Sequence, residues 1–269
     1  MKEHKTQEVT DRDMVLWEQD GAVATITLHR PERRNALTIA ANQRLYEFWE
    51  KVDADGTIRA VILTSADCGT FCAGMDLKEA AAERQRSGKD ILDLLVDPFY
   101  ERMRRVRVPV IAAMTGHFTA AGMVLAVNAD IRVGLAGTQG GISEAMVGRG
   151  TPWATRMIDM LPQAVLMELV TTGQMMPVER LYALGFINAV EPDPDAVRSK
   201  ARTLAFQIAA NAPLSVRAAK AGLLAANEYG SEAGLAISKA QHHAVYSSQD
   251  AQEGPRAFAE KRKPVWTGR

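Results

Sequence analysis

Two stretches of the sequence could hold a negative charge without a single ionised side chain. In VILT…FCAGMDL (61–77) and VIAAM…FTAAGMVL (110–125), a short apolar run leads into small residues and then a helical pattern. The amides of a helix's first turn have no partners inside the helix and carry partial positive charge. Small residues such as Ala73, Gly74, Ala120, Ala121 and Gly122 let an anionic oxygen approach that backbone closely. Two such termini facing one point would form an oxyanion hole, suited to the enolate or tetrahedral oxygen that develops from a thioester carbonyl. The same small residues also permit tight strand–helix packing, and spacing alone does not separate the two readings.

The elements that must position these stretches follow from periodicity. Residues 15–18 and 22–29 are β-rich and separated by Asp20-Gly21, a hairpin signal. Residues 40–54 have helical spacing through Ala41, Leu45, Phe48, Trp49 and Val52. Residues 60–64 and the VIAAM run after Pro109 are wholly apolar, as strands buried on both faces are. A helix is expected from near Asp76, an amphipathic stretch over 90–105, and a strand over 130–136. Helical patterns follow at 143–148, 152–161, 164–172 and 177–184, with a strand at 186–190 and almost continuous helix from 195 to 260. The sequence thus reads as α/β over its first two-thirds, ending in an alanine-rich helical extension.

Composition narrows the function classes. With 32 basic and 32 acidic residues the formal net charge is zero, so no global field favours nucleic acid or an acidic membrane. ERMRRVR (101–107) is the one basic cluster that supports RNA binding, which usually needs a basic face. No apolar run approaches the roughly 20 residues that span a bilayer. The segment MKEHKTQEVTDRD is polar, mixed in charge and unlike a targeting sequence. Cys68 and Cys72 are two ligands short of a metal site and are expected to be buried and reduced. No metal site and a cytoplasmic location are the expectations.

Six motifs in register give the chain a resemblance to the crotonase superfamily, the enoyl-CoA hydratases, isomerases and their relatives. RPERRNAL (30–37) resembles the family's R-P-x-x-x-N-A-L turn, and FCAGMDLKE (71–79) its F-x-A-G-x-D-L signature. MTGHFTAAGMVLAVNADIRVG (114–134) resembles the N-G-x-A-x-G-G-G segment and the strand after it, with A-A-G in place of G-G-G. ISEAMVG (142–148) resembles P-E-x-x-x-G. TGQMMPVERLYALGFINAVEP (172–192) and FAEKRKPVWTGR (258–269) also match.

The resemblance implies a crotonase-type spiral core of repeated ββα-like units over residues 1–200. It implies a C-terminal α-helical oligomerisation region over 201–269, and a homotrimer or dimer of trimers. By position, the backbone amides of Met75 and Ala121 would form the oxyanion hole. Family hydratases use two glutamates, and their positions correspond here to Val124 and Glu144. Valine cannot transfer a proton, so Glu144 is expected to work alone as general base. A carboxylate among apolar residues should have a raised pKa, as that role requires. Its plainer alternative is a first-turn glutamate held by its own helix N-terminus behind Ser143. A single base fits an isomerase, which removes a proton beside the thioester and returns it two carbons away.

The alternatives are a hydratase with a non-standard second acid and an acyl-CoA binder that has lost its chemistry. No separate cofactor is implied; coenzyme A arrives as part of the acyl-CoA substrate. The resemblance places Ala73, Gly74, Met75, Asp76 and Gly122 along it, with Lys78 near the phosphates and Lys261 reaching the adenine or phosphate from a neighbouring subunit. VGRGTPWATRM (147–157) departs from the family's glycine-rich turn. Arg149 and Trp153 there either narrow the pocket and recognise a polar or carboxylated acyl group, or serve surface pairing and core packing. His117 is either a pocket polar group or structural.

Overall fold

The computed structural model describes residues 14–269; the polar segment before them lies outside the described residues. The hairpin forms as its sequence requires. Strand β1 (Val15–Asp20) pairs antiparallel with β2 (Val23–Leu28), and Gly21 turns between them with a positive φ of 56°. Helix α1 (Ile39–Ala54) starts at Thr38, whose side chain accepts from the Ala41 N–H.

The apolar runs become the parallel centre of a six-stranded sheet. With β3 (Ala60–Ser65), β5 (Val110–Met114), β7 (Ile131–Leu135) and β10 (Ala189–Glu191), its order is β1-β2-β3-β5-β7-β10. Both faces are covered, which explains the absence of alternation. Val61, Leu63, Val110, Ala112 and Met114 face the main core, with Leu45, Phe48 and Trp49 of α1. Ala60, Ile62, Ile111, Ala113 and Val133 face α7 (Pro194–Ala209), which approaches closely through Val197, Ala201, Ala205 and Ala209. The division expected at residue 200 therefore falls inside a helix that belongs to the sheet.

The second sheet is built from short strands that the apolar periodicity does not mark. β4 (Thr70–Cys72), β6 (His117–Thr119), β8 (Gln139–Gly141) and β9 (Met175–Pro177) are three residues each and lie in the order β4-β6-β8-β9. The first three are parallel. Each follows a strand of the large sheet, and each leads into a helical turn. β3–β4 precedes α2 (Leu77–Ser87), β5–β6 precedes α4 (Ala121–Asn128), and β7–β8 precedes the 3-10 turn Glu144–Val147. This is the expected spiral of ββα-like units.

Other boundaries differ from expectation. The 90–105 stretch is broken into a 3-10 turn, Ile91–Leu94, and α3 (Glu101–Arg105), with Pro98 and a left-handed Tyr100 between them. The predicted strand at 186–190 shifts to Ala189–Glu191. Phe186 and Ile187 instead plug the core after α6 (Val178–Ala183), with the Phe186 N–H closing on the Leu181 carbonyl. The helices expected over 143–148 and 152–161 are 3-10 segments, Glu144–Val147 and Pro152–Asp159, and α5 (Gln163–Thr172) is regular.

Three further helices, α8 (Pro213–Tyr229), α9 (Ser231–Tyr246) and α10 (Gln249–Ala259), complete the chain. Lys220 pins α8 to the core, its buried ammonium donating to Asp130 Oδ2 at 2.7 Å and the Val108 carbonyl at 2.9 Å. The basic cluster is largely consumed in the fold. Arg102 pairs with Glu50 and Asp53, Arg105 with Glu101 and Arg107 with Asp53, while the buried Arg104 donates to Asn227. Cys72 is buried and its thiol is pushed up to about 12 by that burial, but Cys68 is exposed; both are free. Cys68 departs from expectation because it sits on the loop before β4 rather than in the sheet.

Candidate active site

The small sheet gathers the chemically suggestive segments. Because β4, β6 and β8 run parallel side by side, the residues just past their ends come out on one edge: Ala73–Met75, Ala120–Ala121 and Ser143–Glu144. Ala73, Met75, Ala120, Ala121, Ser143 and Glu144 all line one cavity of about 160 Å³.

The first segment is shaped by its neighbour. Leu37 forms a parallel bridge to Met75, its N–H donating to the Gly74 carbonyl and its carbonyl accepting from Asp76. That bridge uses the groups flanking Met75 and leaves the Met75 N–H on the other side of the chain. Gly74 has φ 103°, and a Cβ built on it would lie 2.9 Å from Ala120 Cβ and 3.6 Å from the Ala121 nitrogen. The two loops thus touch where a side chain would separate them. Gly122 packs still more tightly, since a Cβ there would come within 2.4 Å of the Cys72 carbonyl oxygen. Gly74 and Gly122 are buried packing positions beneath the cavity wall.

Asp76 is occupied structurally. It caps α2 by accepting from the N–H groups of Lys78 and Glu79, and pairs with Arg30 at 3.1 Å. Against the opposing effect of burial, those N–H groups and the guanidinium keep its carboxyl below the usual range. Asn35, which the sequence reading passed over within RPERRNAL, ties this turn together. Its side-chain amide donates to the carbonyls of Ala66 and Thr70 and its oxygen accepts from the Arg30 N–H.

Glu144 opens the turn after β8. One carboxylate oxygen, Oε2, is buried and has no hydrogen-bond partner among the described residues. Burial raises its pKa; the backbone N–H groups of Glu144 and Ser143 and the indole of Trp153 oppose that rise only partly. The N-terminal interaction of the plainer reading is therefore present, but it does not dominate. Thr119 and Ser143 join the second loop to this turn through their hydroxyls, 3.1 Å apart. Val124, one turn into α4, lines the same cavity and is 4% exposed.

Among the described residues lining the cavity, only Glu144 and Arg149 are ionisable. Trp153 both lines the cavity and belongs to the main core, at 7% exposure. Arg149 lines it too, and its guanidinium is held by Asp90. Leu77, Ala80, Leu92, Pro98 and Phe99 add apolar lining. The sequence reading did not assign these to the site, although the apolar positions of the 90–105 stretch were a usable signal.

His117 is not part of the lining; its Nδ1 accepts from the Gln139 N–H at 3.0 Å, a strand-edge contact. Lys78 and Lys261 are exposed and also stand outside the lining. Among the described residues no group of three or more His, Cys, Asp or Glu is gathered to hold a metal. No described helix is long and apolar enough to cross a membrane.

Known proteins resemble the chain over nearly its whole length. The profile of the enoyl-CoA hydratase/isomerase family matches residues 18–269. The chain is 36% identical to enoyl-CoA hydratase EchA19 of Mycobacterium tuberculosis over 94% of this chain and 96% of that one. It is 32% identical to (E)-benzylidenesuccinyl-CoA hydratase of Thauera aromatica over 94% and 99%. A crystal structure of enoyl-CoA hydratase from Mycobacterium tuberculosis H37Rv aligns with a TM-score of 0.85 at 33% identity, covering 96% of this chain and all of that one. Whole-length similarity of this kind means that the chain belongs to the enoyl-CoA hydratase/isomerase family.

Proposed function

We propose that the protein is an acyl-CoA isomerase in which Glu144 alone moves the proton. The observation that carries this reading is that Glu144, partly desolvated, is the one carboxylate among the described residues of the cavity lining, which has Val124 where a second acid would be needed. The thioester oxygen lies between the N–H groups of Met75 and Ala121. Glu144 takes a proton from the carbon beside the thioester, and the electron pair moves onto the carbonyl oxygen as an enolate held by those two donors. Return of the proton two carbons away shifts the double bond. No water enters the product and no separate cofactor takes part; coenzyme A is the substrate's own handle. Ala73 and Met75 line its path, and Lys78 and Lys261 meet its phosphates as mobile point charges. The C-terminal helices assemble the protein into a trimer or dimer of trimers. Zero net charge and unpaired cysteines fit a cytoplasmic enzyme without a nucleic-acid partner.

A second reading, hydration, is favoured by the names of the two relatives above. In this cavity it would require a partner other than a carboxylate, and Ser143 is the hydroxyl in the lining. Turnover of a panel of enoyl-CoA thioesters in deuterated water, followed by mass spectrometry, separates the readings. Isomerisation gives deuterium incorporation without the added mass of water. Added water would establish hydration instead, and neither change would indicate a binder without chemistry.

A further inference from the structure

A cation on the wall of an apolar cavity needs an explanation beyond proton transfer. Arg149 is the only cation among the described residues of the lining, which also includes Leu92, Phe99, Val124 and Trp153. Its Nη1 donates to Asp90 Oδ2 at 2.7 Å and its Nη2 to Asp90 Oδ1 at 2.8 Å, a two-point grip that fixes the plane of the guanidinium. The guanidinium holds the Asp90 carboxyl down to about 2, so the pair stays charged throughout the neutral range. Asp90 itself is not part of the cavity lining. A guanidinium carries five N–H donors, and no further hydrogen bond of this one is formed among the described residues. Asp90 therefore orients the cation without using it up.

We propose that Arg149, positioned by Asp90, selects acyl-CoA thioesters whose acyl group carries a carboxylate. The proposal rests on the acyl-CoA reading above and adds the substrate class. A carboxylate in this cavity meets the like charge of Glu144. Because Asp90 already balances the charge of Arg149, it is the spare N–H donors of the guanidinium that compensate by hydrogen-bonding the carboxylate. A plain alkyl group in the same place would cover the spare N–H donors without offering an acceptor, which is how a polar site rejects an analogue that lacks the matching group. Partial exposure of the guanidinium, 32% for its side chain, weakens the discrimination, because water can still reach the donors.

The test uses saturated thioesters, so that affinity is read without turnover. Calorimetric affinities are measured for succinyl-, glutaryl- and adipoyl-CoA against butyryl-, pentanoyl- and hexanoyl-CoA, with free CoA as the reference. The native protein is expected to prefer the carboxylated member of at least one pair by roughly tenfold or more, far less than a fully buried polar site achieves. Arg149→Gln removes that preference by weakening the carboxylated thioesters, with the uncharged thioesters bound no more weakly than before, and Arg149→Lys keeps part of it. The native preference is read without any variant, so poor folding of a variant does not remove the test. Equal binding within every pair, or a preference for the uncharged member, would overturn the proposal. So would a variant that retains the preference, or one that weakens CoA itself equally, since the guanidinium would then be touching the carrier. Each of these leaves the acyl-CoA reading standing; failure of every thioester to bind would overturn both.

Discussion

At the scale of single residues, the desolvation of Glu144 does double work. Its folded pKa is raised above the ordinary 4.5 because burial disfavours the charge. A raised folded value means that the native state holds the proton more tightly than the unfolded chain does. The associated stability is present below pH 4.5 and is lost as pH rises through the folded value. At neutral pH the ionised carboxylate therefore opposes folding. Glu144→Gln is predicted to melt at the same temperature as the native protein or higher at pH 7, and calorimetry of the two checks this; a clearly lower melting temperature contradicts it. The base must be charged to accept a proton, so the acidic limb of the rate profile should lie above pH 4.5. Glu144 and Val124 were legible by position within recognisable motifs. The partnership of Arg149 with Asp90 was not, because 59 residues separate them and neither lies on a periodic face. His117 was legible only as a pair of alternatives until the Gln139 N–H was seen to occupy its Nδ1.

At the scale of elements, long periodic segments were legible and the three-residue strands were not. Helix α1 and strands β3 and β5 lie within a residue or two of where their apolar patterns place them. β4, β6 and β8 are too short to show alternation, yet they align the site segments edge to edge. The signal they left was the small residues beyond them. Ala120 shows what those residues must endure: at φ 50° and ψ −119° it starts α4 in a conformation comfortable only for glycine. Such a residue costs about 1–3 kcal/mol, whereas glycine's extra freedom in the unfolded chain costs about 0.5–1 kcal/mol. Ala120→Gly should therefore stabilise the protein by about 1 kcal/mol, measurable as a higher urea midpoint with an unchanged slope. A lower midpoint would show that the alanine methyl's packing outweighs its strain.

At the scale of the whole molecule, the sequence made the α/β core and the helical tail legible, but not where one gives way to the other. α7 is alanine-rich like the tail, and its alanines serve close approach to the sheet rather than assembly. The tail proper is α8–α10. There the α8–α9 pair packs closely on itself, since a Cβ on Gly234 would lie 2.2 Å from Ala226 Cα. It leaves Leu223 at 74% and Tyr246 at 74% exposure, and α10 leaves Phe258 at 87%. Apolar surface of this kind on one chain is what an oligomer would cover. Sedimentation at micromolar concentration should give a trimer or a dimer of trimers. Leu223→Asp combined with Tyr246→Asp should shift it toward monomer with an unchanged circular dichroism spectrum. A native protein that sediments as a stable monomer would contradict the proposed assembly.

The central claim is that one carboxylate carries the proton, and exchange at the carbon beside the thioester measures it most directly. On an acyl-CoA that the native protein turns over in deuterated water, Glu144→Gln should slow that exchange by roughly 10²- to 10⁴-fold. Acyl-CoA affinity should change little, because the amide keeps the shape of the carboxylate. Exchange at the native rate in Glu144→Gln would mean that another group moves the proton, and the single-base mechanism would be wrong.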